Sequence, residues 1–418
     1  MTTSDTHRAI DAVWRIESAR LIAGLTRIVR DVGLAEDLAQ DALVVALEKW
    51  PETGVPDNPG AWLMAIAKRR AIDSLRRDKL LERKHAEIGY EADGLQNSPV
   101  EDLDKSLDDN VGDDLLRLVF ISCHPVLSSE AQVALTLRLL GGLTTDEIAR
   151  AFLAPEPTIA QRIVRAKRTL SDAKAPFEVP RGDEFTARLA SVLQVIYLVF
   201  NEGYSVTAGD DWVRPSLCED ALRLGRILAE LVPNEPEVHG LVALMEIQAS
   251  RMHARVARDG SPVLLLDQDR SRWDQLLIRR GLTALARAER LGGESGPCAL
   301  QAAIAACHAR APVADETEWE KIAGIYDELA RVVPSPVVEL NRAVAHSMAF
   351  GPAAGLELVD AIAAEPSLKG YHLLPSVRGD LLSKLGRQSE ARAEIERAAS
   401  LTQNSREREL LLERAAAL

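Results

Sequence analysis

The sequence predicts an all-α protein. Two small helical modules come first, the second closing on a helix-turn-helix, and a long tetratricopeptide-like array of helix pairs follows. Three observations carry this. Ala and Leu dominate the apolar residues and aromatics make up only 4% of 418 residues, which favours helix-on-helix packing over sheets. Apolar side chains recur at three- and four-residue spacing through most of the chain. Prolines and glycines cluster at 51–60 and 175–182 and divide the pattern.

The first module spans 8–78. Ile10, Val13, Ile16, Leu21 and Leu25 mark one helix, and a short second helix is expected to end near Asp31-Val-Gly. Leu38, Ala42, Val45 and Leu47 mark a third, which Trp50-Pro51 should stop. After the 51–60 loop, Asn58 stands where an N-cap belongs, just ahead of Pro59, and opens a basic helix. Residues 79–114 read as an acidic linker. Glu91, Asp93, Glu101, Asp102, Asp104, Asp108, Asp109, Asp113 and Asp114 face only Lys105 toward its end, a density that resists packing. It reads either as a solvated spacer or as a mimic of nucleic acid that occupies a basic channel.

Residues 115–175 form the second module. Thr144 or Thr145 should cap its penultimate helix, and Pro155 and Pro157 suit the start of the last one. Residues 183–418 carry the array. Gly379, Gly386, Ala391, Ile395 and Ala398 occupy the small and bulky positions of a helix pair repeating at about 34 residues. Ile322, Tyr326, Leu329 and Pro334 fit a second location, with Val344 and Gly351 beginning the next, and Ala221, Gly225, Leu228, Pro233 and Ala243 fit a third. Residues 251–300 fit no repeat register.

Composition narrows the function. A formal net charge of −13 excludes a nonspecific nucleic-acid coat, so any such contact must come from local basic patches. Cys123, Cys218, Cys298 and Cys307 are far apart and read as buried thiols in a reducing compartment. The N-terminus lacks a signal-peptide core, and no apolar run approaches the roughly 20 residues of a membrane span. The expected location is the cytoplasm. No catalytic constellation, metal site or cofactor motif is expected. The acidic run from Asp267 lacks the glycine (Arg272 stands there) and the glutamate (Ile278) of a calcium loop. The histidines have no metal-ligand spacing.

Two blocks carry the chemistry. On the basic helix, Lys68, Arg69, Arg70, Arg76 and Arg77 oppose only Asp73 and Asp78, and Trp62 lies near its start. Bases stacked on aromatics with arginines along phosphates is how single strands are held. A solvated cationic face with a core tryptophan is the plainer reading. The last helix of the second module offers Thr158, Gln161, Arg162, Arg165, Lys167 and Arg168. Recognition helices use such side chains on base edges and flanking phosphates.

These blocks, in this order, resemble bacterial RNA polymerase sigma factors of the extracytoplasmic-function (ECF) class. Residues 35–43 look like the core-polymerase-binding helix, 61–77 like the segment that engages the opened −10 element, and 143–168 like the helix-turn-helix that reads the −35 element. The resemblance implies that Asp37, Gln40 and Asp41 face core RNA polymerase. It further implies that the 55–60 loop, Trp62, Lys68, Arg69, Arg70, Arg76 and Arg77 engage −10 DNA, and that the 156–168 helix engages −35 DNA. The chain departs from the family at Arg69, where Asn is common, and at Ala160-Gln161, where a Lys-Ser pair is common. Base preference therefore does not carry over.

The C-terminal extension resembles that of one ECF subgroup, in which tetratricopeptide-like repeats regulate the factor from within. Residues 197–204 and 264–273 look typical of it. Asn201, Glu202, Tyr204, Asp267, Asp269, Arg270 and Trp273 are candidates for a regulatory groove, or for buried hydrogen-bond networks between repeats. The expectation is a non-enzymatic sigma factor whose partners are core RNA polymerase and promoter DNA, with an intramolecular contact between the extension and the promoter-binding modules. The alternative is a free-standing helix-turn-helix regulator with a ligand- or peptide-sensing repeat domain.

Overall fold

The structure, a computed structural model, describes residues 3–87, 111–152, 154–204, 208–209, 213–257 and 261–418. Among these lie eighteen α-helices and one parallel pair of two-residue strands, Ala208–Gly209 with Gln403–Asn404. No described helix is long and apolar enough to cross a membrane. The chain divides into two compact units, Met1–Val195 and Ile196–Leu418.

The first unit holds α1 (Thr3–Val29), α2 (Val32–Thr53), α3 (Pro59–Glu87), α4 (Val111–Ser122), α5 (Ser129–Leu139), α6 (Thr145–Ala151), α7 (Glu156–Asp172) and most of α8 (Asp183–Tyr204). The expected short helix ending at Asp31-Val-Gly is not separate. α1 runs on to Val29, and Arg30 breaks it with a left-handed φ of 55°. Asp31 then caps α2, accepting a hydrogen bond from the Leu34 N–H at 2.8 Å. Nor does Trp50-Pro51 stop α2, which continues to Thr53 and ends at Gly54 with φ 84°. The Pro51 ring projects from an exposed face.

Ile10, Leu21, Ile22 and Leu25 of α1 pack into one buried core with Leu38, Ala42, Ala46 and Trp50 of α2 and Leu63, Ala67 and Ala71 of α3. Ile16, expected on the inner face, is 66% exposed. Asn58 caps α3 as expected, accepting from the Ala61 N–H at 3.1 Å.

Both ends of the segment expected as a linker are helical, and its centre, 88–110, lies outside the described residues. Asp113 and Asp114 sit in the first turn of α4, where acids complement the helix dipole. Asp114 is buried and held by Arg117 at 2.7 Å and by Arg27 of α1 at 3.2 Å. Burial pushes its carboxyl above the usual range, against the pull of both arginines.

The two units meet within α8, later in the chain than the 175–182 breakers suggest. Phe185 packs on Phe120 with centroids 5.5 Å apart, and Arg188 donates to the Phe120 carbonyl at 2.8 Å, so the start of α8 belongs with α4.

The second unit continues with α9 (Pro215–Leu231), α10 (Pro236–Ala249), α11 (Gln275–Arg290), α12 (Pro297–Arg310), α13 (Trp319–Val332), α14 (Pro336–Phe350), α15 (Pro352–Ile362), α16 (Leu373–Lys384), α17 (Gln388–Leu401) and α18 (Ser405–Ala416). Consecutive helices pack as hairpins. Of the predicted small positions, Gly379 and Gly225 lie at helix crossings, whereas Gly386 and Gly351 occupy turns at φ 77° and 99°. A Cβ on Gly379 of α16 would meet Ile395 of α17 at 2.7 Å, and one on Gly225 of α9 would meet Met245 of α10 at 2.7 Å. The 251–300 stretch breaks the repeat because three single 3₁₀ turns, at 252–254, 265–267 and 270–272, precede α11, where the hairpin pattern resumes.

Candidate nucleic-acid interface

α6 and α7 form the expected helix-turn-helix. Thr144 and Glu147 make a reciprocal capping box, with the Glu147 N–H donating to Thr144 Oγ1 at 3.1 Å and the Thr144 N–H donating to Glu147 Oε2 at 2.8 Å. Pro155 and Pro157 open α7. Its inner face is Ile159, Ile163, Ala166 and Leu170, all buried. On the opposite face Thr158, Gln161, Arg165 and Arg168 are exposed at offsets of 3, 4 and 3, one continuous polar stripe. Arg168 also reaches Asp172 at 3.5 Å. Arg162 is half-buried on the flank of the stripe.

Lys167 points elsewhere. It is ion-paired to Glu36 of α2 and lies 3.9 Å from Asp37. Glu36 is 2% exposed and also accepts from Arg138 of α5 at 2.6 Å and from Gln40 at 2.5 Å. A buried carboxylate is tolerable only with such partners. Arg15 of α1 reinforces the same junction by pairing with Glu147 at 2.8 Å.

On α2, Asp37 and Asp41 are exposed, whereas Gln40 is turned toward Glu36. Asp37, Asp41, Val44 and Glu48 fall on one outward stripe at offsets of 4, 3 and 4. Val44 is 51% exposed and the adjacent Leu47 is 39% exposed. This is an acidic face with an apolar centre, a composition that suits a partner surface better than solvent. The resemblance pointed to the acids but not to Val44 or Glu36, and Leu47, expected on the inner apolar stripe, is exposed instead. An apolar residue off the core stripe of α2 was the signal available for Val44.

Asp41 pairs with Arg70 of α3 at 2.5 Å. Trp62 is half-buried edge-to-face on the buried Trp50, centroids 5.3 Å apart, so one side of its ring is already used. Arg69, Arg76 and Arg77 are exposed, and Arg77 donates to the Asp73 carbonyl at 3.3 Å. Lys68 is half-buried. The cationic residues of α3 thus spread around the helix, with Arg70 turned toward α2.

In the second unit, the residues expected to line a groove divide into two groups. Arg270 and Trp273 are buried. The Arg270 guanidinium donates to the carbonyls of His308 and Ala311 at 2.9 and 2.8 Å and to Thr317 Oγ1 at 2.8 Å, and lies 5.2 Å from the Trp273 ring centroid. Arg251 hydrogen-bonds the Tyr204 hydroxyl and lies over both the Tyr204 and Trp273 rings. Burial, with Arg251 and Arg270 nearby, pushes His308 down to about 3. Tyr204, Arg270 and Trp273 therefore belong to a buried cation–aromatic network. Glu202 pairs with Arg214 at 3.4 Å and Asn201 is half-buried. Asp267 and Asp269 are on the surface, and Asp269 caps a 3₁₀ turn through Ser271.

Comparison with known proteins adds to this geometry. Residues 16–80 match the family described as Sigma-70 region 2, and residues 117–170 match Sigma-70, region 4. Residues 188–289 match DUF6596, a family of unknown function. The uncharacterized protein R00370 of Rhizobium meliloti is 43% identical over 92% of this chain and 90% of its own length. The probable ECF RNA polymerase sigma factor SigI of Mycobacterium tuberculosis is 28% identical over 40% of this chain and 56% of its own length. The ECF RNA polymerase sigma factor SigK of Mycobacterium sp. (strain KMS) is 27% identical over 37% of this chain and 77% of its own length. No solved structure matches.

Proposed function

Because the chain belongs to the ECF class of RNA polymerase sigma factors, bearing a C-terminal extension, we propose that it binds core RNA polymerase through α2 and places it at chosen promoters through α3 and α7. The observation that carries this is the polar stripe of α7, in which Thr158, Gln161, Arg165 and Arg168 stand exposed opposite a fully buried apolar face. Gln and Arg are side chains that read adenine and guanine edges in the major groove. Arg162 flanks them for phosphates, whereas Lys167, expected beside it, is held by Glu36.

The exposed acid-and-apolar stripe of α2 supplies the polymerase face, with Asp37, Asp41 and Val44 at its centre and Gln40 beside it. Trp62, Lys68, Arg69, Arg70, Arg76 and Arg77 hold the opened −10 strand, the tryptophan by its free face and the cations along phosphates. A free-standing regulator needs no such face on α2, which favours the sigma reading over it.

Within the first unit, Asp41 of the polymerase face and Arg70 of the DNA-binding helix neutralise each other. Polymerase, by engaging α2, competes for Asp41 and releases Arg70. The protein works in the cytoplasm and without covalent chemistry of its own. Its extension regulates it by contact within the same chain, and the buried cation–aromatic network fixes the shape of that extension. The test compares the full chain with a version truncated after Val195, in promoter-directed transcription with purified core polymerase. A changed transcript yield supports regulation by the extension; equal yields refute it.

A further inference from the structure

A groove of about 580 Å³ runs among α9, α10 and α11 in the second unit. Arg226 of α9 and Arg280 of α11 are held on the buried Glu246 of α10, at 2.8 and 3.4 Å. Arg279, Arg287 and Arg290 line the same groove from α11. Neither Arg279 nor Arg290 has a carboxylate partner among the described residues, and Arg287 meets only the Pro233 carbonyl, at 3.4 Å. Glu230 is the other acid of the lining, so five arginines face two glutamates. Several other arginines of this unit are held by carboxylates, as Arg342 is by Glu339 and Arg378 by Asp360.

We propose that this groove is a docking site for an acidic peptide segment of a partner protein. Its volume lies in the range of about 300–1,000 Å³ typical of ligand-binding clefts. Arginine forks match carboxylates in bidentate fashion. Arg279, Thr283 and Arg287 repeat every four residues, about 6 Å apart along the helix. Alternate residues of an extended peptide are spaced by about 6.6 Å, so carboxylates at every second position meet successive turns of α11. The exposed Glu230 is tolerated by a peptide with spaced acids and would repel a continuous run of phosphates, which sets a nucleic-acid strand second. Residues 226–287 of the groove fall within the 188–289 match to a family of unknown function.

The test uses the full chain and a fluorescein-labelled ten-residue peptide of alternating Glu and Ala, with the Gln-Ala version as its neutral counterpart. Fluorescence anisotropy at low salt reads binding, and needs no polymerase, so it is independent of the transcription assay. Binding of the Glu peptide alone is expected. Joint Arg279→Glu and Arg290→Glu replacement should weaken it at least about tenfold, whereas Arg392→Glu on the exposed face of α17 should leave it within about twofold. Circular dichroism checks the fold, and the milder Arg279→Gln, Arg290→Gln pair should give an intermediate loss. Equal binding of the Gln peptide, or unaltered affinity in both double variants, overturns the proposal. So does a single-stranded oligonucleotide of equal charge that binds more tightly through the same arginines, since the groove would then be a nucleic-acid surface.

Discussion

Lys167 of α7 is ion-paired to Glu36 of α2, so the helix proposed to read DNA and the helix proposed to bind polymerase are joined by one buried carboxylate. Arg138 shares that carboxylate at 2.6 Å. The side chains of Arg138 and Lys167 are only 19% and 18% exposed, so the cluster is largely desolvated. Removing one member of such a cluster is costly because the others stay behind.

Glu36→Gln should therefore destabilise the first unit by about 3 kcal/mol, the low end for a broken buried cluster because both cations keep some water. Urea unfolding followed by circular dichroism measures it. A loss under about 1 kcal/mol would mean the cluster is no more than a surface contact.

Arg165 stands exposed on the reading stripe, and Lys167 does not. Arg165→Ala should weaken binding to a promoter duplex and lower the salt slope by about 0.9. An unaltered slope, in titrations across several salt concentrations, removes Arg165 from phosphate contact.

Asp41→Lys should abolish much of the affinity for core polymerase while leaving the fold in place. Asp41 and Arg70 are 56% and 41% exposed, and a pair so open to water is worth at most about 1 kcal/mol. Co-elution with core polymerase, with thermal unfolding as control, checks both halves. Full co-elution of the variant takes Asp41 out of the interface.

His308 gives the second unit a pH dependence. Its folded value is pushed down to about 3 by burial and by Arg251 and Arg270, from 6.5 in the unfolded chain. The unfolded state therefore binds the extra proton first. Stability from this group is intact above pH 6.5 and is lost as the pH falls toward 3, by at most about 1.4 kcal/mol per pH unit. His308→Gln should flatten the change between pH 7 and pH 5 in urea unfolding. A variant with the parent's pH dependence would place the effect elsewhere.

Much of this was legible from local pattern. The buried stripe of α7 follows the helical period, Asn58 and Thr144 announce their helices, and Gly225 and Gly379 mark close crossings, because each effect acts within a few residues of its cause. What was not legible depends on partners far away in the chain. Glu36 reads as one more surface acid until Arg138 and Lys167 arrive from α5 and α7. Asp114 reads as part of a tether until Arg27 meets it. Arg270 and Trp273 read equally as groove or core until the 308–317 carbonyls and hydroxyl close around them. Asp31 reads as the end of one helix when its side chain begins the next.

Promoter-directed run-off transcription with purified core polymerase, comparing the unaltered chain with Asp41→Lys and Arg165→Ala, tests the assignment of α2 and α7 most directly. A discrete transcript that appears only with this protein, and that both substitutions diminish, is the predicted result. No transcript from any promoter fragment, together with no binding to core polymerase, would contradict it.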